Sequence, residues 1–236
     1  MKKLIMSSLL LLLLLTMTGC RSGENGEVYV YSYGDYYDPE VVADFEADTG
    51  IRVIQDTYDT AEEMYPIIKN GSANYDVVCT SDYMISKMKD ENLLQKLDKK
   101  NIRNIKNLDE DYMRKAEEYD PGNEYSVPYL VGVSGILYNK KMVKGKTVDS
   151  WNVLWDPDFK NNIVMQDSVR DAFAISLLRL RYSPNTTNPK EIEEAKNALK
   201  EQKKLVYKYA NDSARDLLAD KSAAIGVVWN GEYNYT

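Results

Sequence analysis

The stretch that most constrains this chain is residues 28–58, VYVYSYGDYYDPEVVADFEADTGIRVIQDTY, which reads as strand, loop, helix, strand. Residues 28–31 are an unbroken apolar and aromatic run, the mark of a strand covered on both faces in a parallel sheet. Asp38 is placed to cap a helix whose first position is Pro39, where a missing N–H costs nothing. Val41, Val42 and Phe45 share one helical face, and Gly50 supplies the stop. Residues 51–54 return as a β-branched strand. In an open α/β sheet, ligands sit beyond the carboxyl ends of the strands. That puts the loop Tyr33-Gly34-Asp35-Tyr36-Tyr37 where a ligand would lie. A carboxylate flanked by tyrosines suits an organic cation, through charge pairing and cation–π contact with the ring faces. The same tyrosines would serve equally well as edge packing for the strand.

Composition narrows the chemistry. The chain has no histidine, which removes Ser-His-Asp and Cys-His catalysis and histidine-ligated metals together. Its formal charge is −7. Discounting a leader that contains Lys2 and Lys3 leaves 28 basic against 37 acidic side chains, a net of −9. An acidic chain is a poor partner for nucleic acid and a reasonable one for cations, although solubility alone accounts for such a charge.

The N-terminus carries its own signal. Two lysines precede an apolar run over residues 4–16, shorter than the ~20 residues of a membrane span. The run ends in Met17-Thr18-Gly19-Cys20, which resembles a lipobox, where a signal peptidase cuts before a cysteine that then carries lipid. Residues 1–19 are therefore expected to be a signal peptide, Cys20 a lipid anchor and residues 20–27 a polar tether. An ordinary secretion signal with an incidental cysteine is the alternative. Cys79, in an apolar run, is expected to be a small buried hydrophobe.

Downstream, Thr60-Ala-Glu-Glu63 forms a capping box for a helix to about residue 69, with Pro66 awkward in its interior. Residues 75–79 read as a third strand. Thr80-Ser81-Asp82-Tyr83 follows it at the same sheet edge as the Tyr33 loop, where Ser81 or Asp82 would either cap the next helix or join Tyr83 in facing a ligand. Residues 98–109 are polar surface connection.

These stretches, with FEADTGIRVIQDTYDTAEEMY (45–65), YDVVCTSDYMISKM (75–88), NLLQKLD (92–98), YSVPYLVG (125–132), SWNVLW (150–155), NTTNPKEIEEA (185–195) and VVWNG (227–231), resemble the spermidine/putrescine-binding proteins of bacterial ABC transporters. The resemblance runs from about residue 28 to the end. It implies an α/β, two-lobed, periplasmic-binding-protein-like architecture with a mostly parallel sheet in each lobe. Lobe one would span 28–130 and lobe two 131–236. Such a protein is monomeric, needs no cofactor, closes on a linear polyamine and delivers it to the permease and ATPase subunits of an importer. Gly132 and Gly135 suit a hinge at the crossover, though glycine in a tight strand would look the same.

In the second lobe, Ser150 is a cap for a short helix bearing Trp151 and Trp155, and 163–165 is a strand. The loop 166–171 opens a helix to about residue 181, with Ser168 and Asp171 matching a capping box. In the resembled family this loop supplies carboxylates to a ligand amine. Asp171 matches one such position, while Ser168 stands where a second acid occurs. Helices at 189–203 and 214–219 flank a weak strand at 205–209, and 223–228 is the last strand. Trp229, at its carboxyl end, matches an aromatic wall of the family's site. The expected ligand residues are thus Tyr33, Asp35, Tyr36, Ser81, Asp82, Tyr83, Asp171 and Trp229. The family commonly has tryptophan at the place of Tyr33, and Gly34 replaces a hydroxyl position. The family's chain normally continues past residue 236 to complete both lobes, so a fragment with weak binding and unpaired sheet edges is expected. The rival readings are a binding protein for another small solute, an inert membrane-tethered fragment that binds nothing and, from a different class, a glycosidase using Asp35 and Asp171 as its carboxylate pair.

Overall fold

The computed structural model describes residues 25–34 and 36–235; Cys20, the leader and Asp35 lie outside them. The chain divides into two compact units, the first ending at Leu93 and the second opening at Leu94.

The first unit holds a three-stranded, all-parallel sheet in the order β2-β1-β3. Strand β1 (Glu27–Tyr33) is central. Its last half is buried at Val30, Tyr31 and Ser32, whereas Tyr29 is exposed, so cover on both faces is confined to the end near the loop. Helix α1 (Pro39–Thr49) starts as expected, with Asp38 accepting from the Glu40 N–H. It stops at Gly50, which adopts a left-handed φ of 68° and returns its N–H to the Glu46 carbonyl. Its apolar face is not covered. No residue of α1 is buried, and Val41 and Phe45 face solvent. The helix is held by its ends and by the Val53 N–H bond to Glu46 Oε1 at 2.7 Å.

Strand β2 (Arg52–Tyr58) runs four residues beyond the expected stretch and brings Tyr58 alongside Tyr33. Helix α2 (Ala61–Lys69) is capped by Thr60, which accepts from the Glu63 N–H, and it continues through Pro66. Strand β3 is only Val77–Val78, shorter than expected, but Asp76 and Cys79 still donate to the carbonyls of Tyr29 and Tyr31. Helix α3 (Asp82–Asp90) and α2 supply Ala61, Met64, Met84, Ile85 and Met88 to the core. Cys79 is half-buried, with a free thiol whose pKa is pushed up by burial.

The second unit opens with 94–130, a segment that the sequence reading assigned to lobe one. Within it lies a helix not foreseen from sequence, α4 (Glu110–Ala116), capped by Asp109. The segment is organised by Asp120, which is fully buried. One of its oxygens accepts from the N–H groups of Tyr125 and Ser126 and from the Ser126 hydroxyl. A four-stranded sheet follows, in the order β4-β7-β5-β6. Its strands are β4 (Ser134–Tyr138), β5 (Ile163–Met165), β6 (Val206–Tyr209) and β7 (Ile225–Trp229). Strand β4 is antiparallel to β7, while β5 runs parallel to both β6 and β7.

Alternation along β5 and β7 splits the core between two faces. Ile163, Met165, Ile225 and Val227 pack with Leu154, Phe159 and Ile175 on one face. Val164 and Val228 pack with Ala210, Ala214 and Leu218 on the other. The helices are α5 (Val169–Arg179), α6 (Pro189–Gln202) and α7 (Ala214–Ala219). Trp151 and Trp155 lie on a 3₁₀ turn capped by Ser150. Gly135 belongs to β4, where an added Cβ would meet the hydroxyl end of the exposed Tyr233 side chain.

Candidate functional site

In the first unit, the β1–β2 register pairs Tyr33 with Tyr58 at the carboxyl edge. The Tyr33 and Tyr58 ring centroids are 4.5 Å apart at 55°, and the Tyr36 ring lies 5.2 Å from that of Tyr33. Tyr58 donates to the Cys79 carbonyl. Burial raises the pKa of Tyr33, with its hydroxyl bonds opposing, and drives that of Tyr58 well up. Both phenols therefore stay neutral across the physiological range and offer oxygen acceptors and ring faces rather than charge.

Ser81 occupies the cap position of α3 but makes no cap bond. Its hydroxyl instead pairs with the Tyr33 hydroxyl at 2.8 Å, which couples the ends of β1 and β3. Asp82 is exposed and accepts from the Tyr83 N–H, and the Tyr83 hydroxyl donates to Glu62 Oε1 at 3.2 Å. Tyr33, Tyr36 and Ser81 thus form one cluster, while Asp82 and Tyr83 engage their own helix and α2. Asp35 lies outside the described residues. Tyr58 is the member that sequence reasoning missed; a strand continued through QDTY to its terminal tyrosine was the available signal.

In the second unit, the strand register places Ser134 beside Trp229 at the carboxyl edge. The indole lies over Gly132, where a Cβ would come within 4.0 Å of its Cδ1. Asn230 fixes this end, exchanging backbone and side-chain bonds with Val133. Strand β5 ends in the same row and leads into Gln166, buried with neither amide atom bonded among the described residues, and then into Asp167, whose carbonyl accepts from Asn211 Nδ2. Ser168 caps α5 by accepting from the Asp171 N–H at 3.2 Å. Asp171 follows in the first helical turn, half-buried, and among the described residues no donor is bonded to its carboxylate. Gln166 was also missed on sequence, since a glutamine ending a strand carries no motif. Among the described residues no cluster of His, Cys, Asp and Glu suited to a metal occurs.

Two units built on parallel-dominated sheets, with aromatic rings and acceptors gathered at the strand carboxyl ends, define a two-unit α/β ligand-binding protein. The chain belongs to the bacterial extracellular solute-binding proteins, whose family model matches residues 40–236. It is 37% identical over 220 residues to the spermidine/putrescine-binding periplasmic proteins of Salmonella typhimurium and Escherichia coli K12, an alignment covering 93% of this chain and 63% of each of those. Among solved structures it is similar to the spermidine/putrescine ABC transporter substrate-binding protein PotD of Streptococcus pneumoniae. That match has 37% identity and a TM-score of 0.67 over 87% of this chain and 63% of that one. The Tp0655 lipoprotein of Treponema pallidum gives 27% identity and a TM-score of 0.80 over 89% of this chain and 65% of that one. The chain therefore spans about 63% of the length of the curated relatives it matches.

Proposed function

We propose that this chain is a polyamine-binding component of an ABC importer, tethered outside the cell membrane through lipid on Cys20 and working with permease and ATPase subunits. The observation that carries the reading is Asp171, a half-buried carboxylate with no bonded donor among the described residues, in the same unit as the Trp229 ring. A linear polyamine presents ammonium groups joined by methylenes. It calls for separated acceptors and for aromatic surfaces along its apolar length. The Tyr33–Tyr36–Tyr58 cluster with Ser81 supplies such surfaces and neutral acceptors in the first unit, and Trp229 with Asp171 does so in the second. The resemblance adds Asp35 to the first set. The names of the relatives support the same ligand class.

The test is a thermal melt of the full chain in mild detergent, which accommodates the apolar leader, with millimolar spermidine or with magnesium matched in charge. Binding to the native state alone stabilises it by about 2.7 kcal/mol at a hundredfold excess over Kd. The expected result is a rise in Tm with spermidine that magnesium does not reproduce and that Asp171→Asn diminishes. Equal shifts with both cations, or none, would overturn the proposal.

A further inference from the structure

The carboxyl edge of the second sheet carries an ion pair that the ligand reading does not use. Glu232 lies three residues beyond Trp229, on the 3₁₀ turn Asn230–Tyr235. Its Oε2 accepts from Nη1 of Arg215 at 3.1 Å. Arg215 is the second residue of α7, the helix between β6 and β7, so it lies near the strand ends rather than the strand starts. The two side chains are only 22% and 14% exposed, in contrast to the surface pair Arg114–Asp111 at 73% and 68%. Asp216 also approaches Arg215, at 3.8 Å, with its side chain 73% exposed, so Glu232 is the more enclosed of these two carboxylates. A carboxylate three residues past Trp229 at this edge is the kind of acceptor an ammonium seeks, and here a guanidinium already holds it. The Asp171 carboxylate, by contrast, has no bonded donor among the described residues.

We propose that Arg215 is a specificity-determining residue: by holding Glu232 it withholds a second carboxylate from the ligand and leaves Asp171 as the working acceptor of this unit. The inference rests on the polyamine reading. Arg215 stands in for a ligand ammonium, so the edge presents the charge of one carboxylate rather than two. That favours a diamine over a polyamine with more charges. Removing the guanidinium leaves an enclosed acid in need of a cation, and a cationic ligand meets that need. Removing the carboxylate instead leaves an enclosed positive charge that repels the ligand. The two single changes therefore move affinity in opposite directions, whereas a purely structural ion pair would move them together.

The experiment is calorimetric titration of the full chain and of Arg215→Met, Glu232→Gln, the double variant and Asp171→Asn, with spermidine and with putrescine. The expected result is that Arg215→Met binds spermidine about tenfold tighter and gains less for putrescine. Glu232→Gln binds both about tenfold weaker, and the double variant returns toward the starting affinities. If Arg215→Met and Glu232→Gln both weaken binding, or neither alters it while Asp171→Asn weakens it, the pair is structural. The proposal then fails and the polyamine reading stands. If no variant and not the unaltered chain binds either amine, the polyamine reading fails and takes this proposal with it. Should Arg215→Met not fold by its thermal melt, Arg215→Gln takes its place, and the proposal is overturned if that variant does not bind spermidine more tightly than the unaltered chain.

Discussion

Gly226 illustrates how a single missing side chain sets the spacing between sheet and helix. A Cβ there would stand 3.0 Å from both the Cβ and the carbonyl oxygen of Val164, and 3.2 Å from Leu218 Cδ1. Backbone oxygen on one side and a packed helix on the other leave nothing free to yield. Gly226→Ala is therefore expected to lower stability by about 1–3 kcal/mol. Urea unfolding measures this, and an unchanged midpoint would show that β5 and α7 separate without cost. At this scale, what could be read from sequence was what is local. Asp38, Thr60, Ser150 and Ser168 all cap as expected, because a cap bond spans two or three residues. Ser81 carries the same signal but spends its hydroxyl on Tyr33, a partner 48 positions away that no local pattern announces. Gln166 and the Arg215–Glu232 pair were hidden for the same reason.

Among the elements, the strands and helices with a clear period or clear caps were found to within a few residues. Strand β3 shrank to two residues, with flanking Asp76 and Cys79 still bonded to β1. Helix α1 formed on its caps while its apolar face stayed open. The turn at Pro157–Phe159 depends on charge. Lys146 Nζ sits 2.5 Å from Asp156 and 2.6 Å from Asp158, and Asp156 also caps the turn by accepting from the Asp158 N–H. The lysine bond, followed by the cap bond, holds the Asp156 carboxyl below the usual carboxylate range. A carboxyl depressed in the folded state contributes stability above its unfolded pKa and loses it as pH falls through the folded value. Lys146→Met should therefore be less stable than the unaltered chain at neutral pH, with the gap closing below about pH 4. Urea midpoints between pH 3 and 7 follow it. A gap of constant size would assign the loss to packing over the Phe159 ring instead.

For the molecule as a whole, the division at Leu93 and Leu94 was not legible, because no composition shift marks it. The two units also differ in how well they are built. Strands β5 and β7 have neighbours on both sides and core on both faces, whereas the first unit has three strands and a helix with nothing buried. Amide hydrogen exchange is expected to show the slowest amides in β5 and β7 and faster exchange throughout the first unit. Equal protection in the two would contradict this. The aromatic residues are divided along the same line. Trp151, Trp155 and Trp229 all fall in the second unit, while the first has no tryptophan and carries a linked series of phenols, Tyr75, Tyr31, Tyr58, Tyr33 and Tyr36. Light therefore sees the chain as two objects. Indole emission excited at the red edge reports the second unit alone, and unfolding of the first would pass unseen unless tyrosine absorbance is followed beside it.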